Sequence, residues 1–411
     1  MLIGLVGPAY AGKSIVKKYL QHKYGFIELL VRSTCSLAEM VHTDNSSADN
    51  PIALPHSQSS CVAGSTHLSS RTFSNISELY NYVTENWQSY CIIDDVDCIS
   101  GWDVLCKRPF FLLVSIEAPM HLRWQRLLSE NTTPVLDNLH VSSTHSSTNG
   151  FTLYSTMSTL QDSCQQARFE RFVQHEEEVM FGLDVPAADL SSTLIDEKTS
   201  SMCALGKLDR PALYLTISKS DVRIINTARS LNDLYMLVDS TDLLNHERLR
   251  PNWDTYFMEL CDLAARRSNC MKRRVGCILV NNRRVIATGY NGTPRGIRNC
   301  NDGGCQRCNS NASCGSQLDT CLCLHAEENA LLEAGRERIS GSGHTTLYCN
   351  TCPCLGCAKK IVQVGVKEVV FLNSYSMDEM TAALLREGGV VLRQHTFLKT
   401  VFLADPKKAS K

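Results

Sequence analysis

Cys323-Leu324-His325-Ala326-Glu327-Glu328-Asn329-Ala330, followed by Thr351-Cys352-Pro353-Cys354-Leu355-Gly356-Cys357-Ala358-Lys359, decides how the second half of this chain folds and what it holds. Cys354 and Cys357 stand one helical turn apart at the start of a helical stretch, so both sulfurs can face one point. A helix N-terminus carries partial positive charge, which favours the thiolates that bind metal. His325 opens the preceding helical stretch and can bring a third ligand across adjacent strands. Two thiolates and a neutral imidazole balance the charge of a zinc ion. Three protein ligands leave its fourth tetrahedral position open, which marks a catalytic site. Glu327, two residues from the histidine, supplies a carboxyl group for proton transfer. A bare C-x-x-C is equally a piece of a closed structural zinc site; the adjoining Glu327 and Pro353 weigh against that reading.

Outward from these stretches the elements come quickly. The sequence predicts a helix over 254–267, a hairpin from Gly276–Val280 to Arg284–Thr288 turning through Asn281-Asn282, and a cysteine-rich loop over 296–323. A helix over 324–336, a strand over 345–349, a helix over 354–364, a strand over 368–372, a helix over 377–387 and a strand over 390–393 follow. That order describes a five-stranded sheet with helices on both faces, a three-layer α/β/α sandwich in a domain over 252–396. Residues 245–251 read as a linker.

Two further segments make the pattern specific: Ser268-Asn269-Cys270-Met271-Lys272-Arg273-Arg274-Val275-Gly276-Cys277 and Gly289-Tyr290-Asn291-Gly292-Thr293-Pro294-Arg295-Gly296. With the stretches quoted above, they resemble the deoxycytidylate deaminases of the cytidine-deaminase-like superfamily, the fungal members above all. H-x-E…P-C-x-x-C is the zinc-deaminase pattern. The resemblance implies hydrolytic deamination of dCMP to dUMP and ammonia, supplying dUMP for thymidylate synthesis, with catalytic zinc on His325, Cys354 and Cys357. It implies Glu327 as the proton shuttle, protonating N3 of cytosine during attack on C4 and then passing a proton to the leaving ammonia. It places Asn291 on the deoxyribose, Tyr290, Gly292 and Ala326 beside the nucleotide, and Tyr375 stacked on a base. A tight Asn-Gly turn and a core tyrosine are the plainer readings of Tyr290, Gly292 and Tyr375. A homo-oligomer, namely a hexamer, activated by dCTP and inhibited by dTTP is implied as well.

Six of the 20 cysteines fall between Cys300 and Cys323. Cys305-Gln306-Arg307-Cys308 is a knuckle-like pair and Cys321-Leu322-Cys323 another close pair, with Cys270 upstream and Cys314 between. A closed thiolate site would staple a Gly/Asn-rich loop that has no apolar core of its own. The resemblance implies one structural zinc, with Cys270, Cys300 and Cys323 among its ligands. Spacing leaves open which four of the seven bind, and free thiols or a redox switch compete.

The first half, over 1–245, carries a different signal. Gly7-Pro8-Ala9-Tyr10-Ala11-Gly12-Lys13-Ser14 fits G-x-x-x-x-G-K-S between an apolar strand and a helix, the context of a phosphate-binding P-loop. Its backbone amides would cradle phosphates, Lys13 would reach the terminal ones and Ser14 would bind Mg2+. Ile92-Ile93-Asp94-Asp95 supplies an acidic partner. With Arg123, Arg126 and the Ile225-Asn226 strand end, this half resembles dephospho-CoA kinase and related nucleotide kinases, which implies a parallel P-loop α/β domain and a Mg2+-nucleotide. Polar inserts at about 32–75, 129–163 and 184–206 interrupt the region where an acceptor should bind, so a retained scaffold for assembly or regulation competes with a kinase. A helix near 76–86 and strands at 90–93, 110–114, 212–217 and 222–225 are expected, then a helix at 230–238.

Composition sets outer limits. With 411 residues, 43% hydrophobic content and a net charge of −1, two cores are feasible and no global basic field draws the chain to nucleic acid. The apolar start ends at Gly7 and reads as a buried strand, not a leader. No run reaches the roughly 18 apolar residues of a membrane span. The expectation is a cytoplasmic protein, also nuclear in one reading, whose thiols stay reduced and serve metal. A polynucleotide deaminase would need a basic, aromatic-lined surface; Lys272-Arg273-Arg274 is too short a run for one. A P-loop kinase carrying a degenerate deaminase module is disfavoured because His325, Glu327, Cys354 and Cys357 are all present.

Overall fold

In the computed structural model, residues 1–32, 69–130, 150–182, 212–313, 316–341, 343–374 and 379–403 are described, with 150–164 described for backbone alone. The chain divides into two compact units: Met1–Leu249 together with the stretch from Lys399 onward, and Arg250–Leu398.

The first unit is built on β1 (Leu2–Val6), buried along its whole length. An apolar run without alternation survives only where both faces of a sheet are covered. Ile3 and Leu5 pack on one face with Leu112, Val114 and Ile116, while Leu2 and Val6 pack on the other with Ile93 and Leu113. β1 lies between β4 (Cys91–Ile93) and β5 (Phe111–Glu117). With β2 (Ile27–Val31), β3 (Ser70–Phe73), β6 (Val222–Ile225) and β12 (Val401–Leu403) they form a seven-stranded sheet, order β12-β6-β5-β1-β4-β2-β3, parallel at every pairing. Helices α1 (Lys13–Tyr24), α2 (Ile76–Glu85), α3 (Met120–Glu130), α4 (Gly150–Phe181), α5 (Leu213–Ser218) and α6 (Leu231–Ser240) belong to this unit.

Three sequence expectations change here. The segment expected as a strand over 212–217 is α5; its buried residues, Leu213, Thr216 and Ile217, fall at helical spacing. The insert expected over 129–163 gives way to helix at Gly150, and the one over 32–75 to strand at Ser70. Residues 33–68, 131–149 and 184–206 of the three inserts lie outside the described residues.

The second unit is the expected three-layer sandwich. Its elements are α7 (Trp253–Ala265), β7 (Gly276–Asn281), β8 (Arg284–Tyr290), α8 (Ala326–Ser340), β9 (Thr345–Thr351), α9 (Leu355–Val364), β10 (Glu368–Asn373), α10 (Glu379–Glu387) and β11 (Val391–Gln394). The sheet order is β11-β10-β9-β7-β8; β7 is antiparallel to both neighbours and the remaining pairings are parallel. Ile278, Val280, Tyr348 and Val370 pack on Phe257, Met258 and Cys261 of α7. On the other face, Cys277, Leu279, Leu347 and Val369 meet Ala326, Ala330, Ile361 and Leu385 from α8, α9 and α10. The hairpin turns through Asn282 and Arg283, one residue later than expected: both have left-handed φ, 49° and 62°. Two successive left-handed residues match the twist of the flanking strands. Gly289 lets α8 sit directly on β8, since a Cβ there would lie 2.1 Å from the Ala326 carbonyl oxygen. That contact sets the depth of the helix carrying Glu327.

Candidate active site

His325 is the N-cap of α8 and Cys354 the N-cap of α9, and neither side chain caps its own helix. Both are thereby free to point at a common spot in front of two helix N-termini. Cys357, in the first turn of α9, completes the group. His325 Nδ1 lies 3.4 Å from Cys354 Sγ and 3.4 Å from Cys357 Sγ. Tetrahedral zinc with bonds of about 2.0 Å to nitrogen and 2.3 Å to sulfur would set these atoms about 3.5 Å apart, so the donors fit the ion. His325 and Cys354 are exposed and Cys357 is buried, which leaves one side of the group open.

Glu327 is buried at 4% exposure behind this group. Burial pushes its carboxyl up to about 7, against the pull of His325 and Cys357. The hydrogen bond to Cys354 raises His325 to about 9. Hydrogen bonds from Cys357 first, then from His325, hold the Cys354 thiol down at about 3, and Cys357 is raised in turn.

Five cysteines of the loop before α8 gather with Cys270, which precedes β7; Cys314 lies outside the described residues. Cys270, Cys300, Cys308 and Cys323 form one group, and Cys305, Cys308, Cys321 and Cys323 another. Cys300, Cys305 and Cys308 are buried, and the local core consists of cysteine side chains alone.

Residues 251–373 match the family described as the cytidine and deoxycytidylate deaminase zinc-binding region. The deoxycytidylate deaminase of Schizosaccharomyces pombe is 40% identical over 395 residues, covering 96% of this chain and 97% of that protein. The chain belongs to the deoxycytidylate deaminase family. A second member, from Saccharomyces cerevisiae, is 61% identical over 149 residues, 36% of this chain and 46% of its own length. Among solved structures, the dCMP deaminase of cyanophage S-TIM5 in complex with dCMP and dUMP is 31% identical over 34% of this chain and 94% of that one, with a TM-score of 0.26.

The turn after β8 is tied down from both sides. Gly292 and Leu324 exchange backbone hydrogen bonds of 3.2 and 2.8 Å, fixing the turn to the residue before His325. Asn291 is buried, and its side chain serves the protein itself. Oδ1 accepts from Ser268 Oγ (2.7 Å) and the Val275 amide (2.8 Å), and Nδ2 donates to the Arg273 carbonyl (2.8 Å). The Tyr290 carbonyl accepts from Asn329 Nδ2 at 3.0 Å. Ala326 is fully buried, and Tyr375 lies outside the described residues. Sequence reasoning missed Ser268, which braces Asn291, and Asn350, whose Oδ1 accepts from the Gly276 amide at 3.2 Å. Ser268 sat in a quoted motif; Asn350 gave no signal beyond its place before the cysteines. A cleft of about 600 Å³ beside β11, lined by Phe371, Arg386 and Leu392 among others, contains none of these groups.

The P-loop follows β1 in the first unit. Gly7 passes so close to β5 that a Cβ would lie 2.0 Å from the Ile116 carbonyl oxygen, and Gly12 has φ 105°. Lys13 Nζ donates to the Gly7 and Pro8 carbonyls at 2.7 and 2.9 Å and lies 3.2 Å from Asp95. Ser14 Oγ donates to Asp94 Oδ2 at 3.4 Å. Arg123 donates to the Ala9 carbonyl, Arg126 to those of Tyr10 and Ala11, and Asn226 to that of Ala11. The predicted P-loop residues and both arginines thus converge on one loop.

Proposed function

We infer that the second unit hydrolyses dCMP to dUMP and ammonia. The observation that carries this reading is the convergence of His325, Cys354 and Cys357 in front of the buried Glu327 carboxyl, in a chain whose relatives deaminate this nucleotide. His325, Cys354 and Cys357 would hold zinc, which when bound supplies the Lewis acidity that makes water a nucleophile near neutral pH. Glu327 then does the proton work. It takes a proton from the attacking water and gives it to N3 as C4 becomes tetrahedral, then takes the proton of the new C4 hydroxyl and passes it to the amino group, which leaves as ammonia as the C4 carbonyl forms. Burial keeps bulk water from competing for that proton. Asn291 and the Gly292–Leu324 bridge hold the nucleotide-facing turn rigid against the ligand group, and Asn291 retains one amide hydrogen for the sugar.

The finer reading has four parts. A structural zinc staples the cysteine loop. The assembly is a homo-oligomer, a hexamer, raised in activity by dCTP and lowered by dTTP. The P-loop holds a Mg2+-nucleotide through Lys13, Ser14 and Asp94, once Lys13 exchanges the Gly7 and Pro8 carbonyls for phosphate oxygens. The enzyme works in the cytoplasm, and in the nucleus where it enters it. Among the described residues no helix is long and apolar enough to cross a membrane.

Ammonia release from dCMP, CMP, deoxycytidine and cytosine-containing single-stranded DNA, each with and without dCTP, tests the reading. Release from dCMP above the others, increased by dCTP, is expected. No release from any of them by zinc-loaded protein would sink it, and release from DNA alone would favour a polynucleotide deaminase.

A further inference from the structure

The two cysteine groups formed by the 296–323 loop and Cys270 are not alternatives. They share Cys308 and Cys323. Cys270 and Cys300 lie on one side of this shared pair and Cys305 and Cys321 on the other. We propose that the loop holds a binuclear zinc centre, six thiolates around two ions, in which Cys308 and Cys323 bridge. The proposal deepens the structural-zinc reading above and rests on it.

Three observations support two ions over one. The first is distance. Cys308 Sγ is 3.8 Å from Cys270, 3.6 Å from Cys321 and 3.9 Å from Cys323, and Cys305 is 4.0 Å from Cys321. A tetrahedron of sulfurs around zinc, with bonds of about 2.3 Å, has edges of about 3.8 Å. Such contacts run from Cys308 into both groups, so one sulfur belongs to two tetrahedra.

The second is ligand count. Zinc takes four ligands, so a single ion would leave either Cys270 and Cys300 or Cys305 and Cys321 unused. Cys300 and Cys305 are both fully buried, at 0% exposure. Either choice would strand a buried thiol in a small core whose apolar members are all cysteines, with Asn309 Nδ2 at 3.8 Å the further side-chain contact of Cys300.

The third is the surroundings of the outer sulfurs. The Met271 amide donates to Cys300 Sγ at 3.4 Å and the Leu322 amide to Cys305 Sγ at 3.3 Å. One non-bridging sulfur of each group therefore accepts a backbone N–H, the arrangement that offsets thiolate charge. Arg307 Nη1 lies 3.9 Å from Cys321 Sγ on the second side. Loading two Zn2+ onto six thiols releases six protons and leaves a net charge of −2, the same as four thiolates around one ion. The extra ion thus adds two ligands without adding net charge.

Metal content of the full-length protein, purified under reducing conditions, tests this by native mass spectrometry and elemental analysis. Three zinc ions per chain are expected, one at His325, Cys354 and Cys357 and two in the loop. Cys321→Ser should lower the count to two and Cys354→Ser should lower it independently by one. A wild-type count of two that Cys321→Ser leaves unchanged overturns the binuclear centre while sparing a single structural zinc. A count of one overturns both. Should the serine variants fail to fold, cadmium-113 NMR of the cadmium-loaded wild type decides. Two all-thiolate resonances, with the β protons of Cys308 and Cys323 each correlating to both, support the bridge; a single all-thiolate resonance refutes it.

Discussion

The His325 group and the cysteine loop use the same soft ligands two residues apart in sequence, yet they are built for opposite purposes. His325 and Cys354 are exposed N-cap residues of two helices, so their group is assembled on rigid elements and keeps an open side. In the loop, sulfur faces sulfur, Cys300, Cys305 and Cys308 are buried, and the ligand groups contain no other donor type. The first arrangement has too few ligands to satisfy zinc and a buried carboxyl behind it. The second has enough sulfur to close every position and no carboxyl in the group. Placement on helix ends leaves room for a substrate, whereas placement on a loop makes the metal the core that the loop lacks.

The largest effect expected from breaking this contrast is at Glu327. Glu327→Gln keeps the shape and removes the proton carrier, so dCMP turnover should fall by about 10²- to 10⁴-fold with metal content unchanged. Near-full turnover, or loss of metal, would end the proton-shuttle assignment. Metal removal comes next. A chelator under reducing conditions should strip the three-ligand group first, abolishing turnover while loop metal remains. Simultaneous loss from both would show that the open and closed sites are not distinct.

A smaller effect should come from the residue that joins the two regions. Asn291 ties Ser268 and Val275, which flank Cys270, to the turn bridged to Leu324. Asn291→Ala leaves the half-buried Val275 amide without this acceptor, which costs about 1 kcal/mol. Urea unfolding should report that loss, and both turnover and loop-metal retention should weaken together. Weakening of turnover alone would confine Asn291 to the nucleotide.

How much of this was legible in the sequence follows the same physics. Strands at Cys91–Ile93 and Phe111–Glu117 are apolar runs and were readable as such. Leu213–Ser218 was misread because six residues hold fewer than two helical turns, too few to separate a helical period from a short apolar strand. β2 was missed, and so was β12, whose partner β6 lies far back in the chain and whose three residues carry no periodicity. At the site, His325, Glu327, Cys354 and Cys357 were legible because the spacing of a helix turn fixes where side chains point. In the loop no such rule applies. Spacing named the cysteines, but the contact between Cys270 and Cys308, 38 residues apart, comes only from the folded chain. Sharing of Cys308 and Cys323 between two groups has no signature in a linear pattern.

The smallest expected effect is electrostatic. Arg307 Nη1 sits 3.9 Å from Cys321 Sγ, and its Nε donates to the Ser316 carbonyl at 3.1 Å. A unit charge at that range is worth about 4 kcal/mol at an effective dielectric of 20. Arg307 is only half-buried, so solvent screening reduces this to about 1 kcal/mol. Arg307→Gln should therefore release loop metal to a chelator about fivefold more readily, with the His325 group and dCMP turnover unaffected. Arg307→Lys separates the two contacts, since it keeps the charge and gives up the planar fork that reaches Ser316. If lysine restores metal retention, the charge beside Cys321 is what matters. If lysine behaves as glutamine does, the tether to Ser316 holds the loop, and the second metal position depends on backbone placement more than on local field.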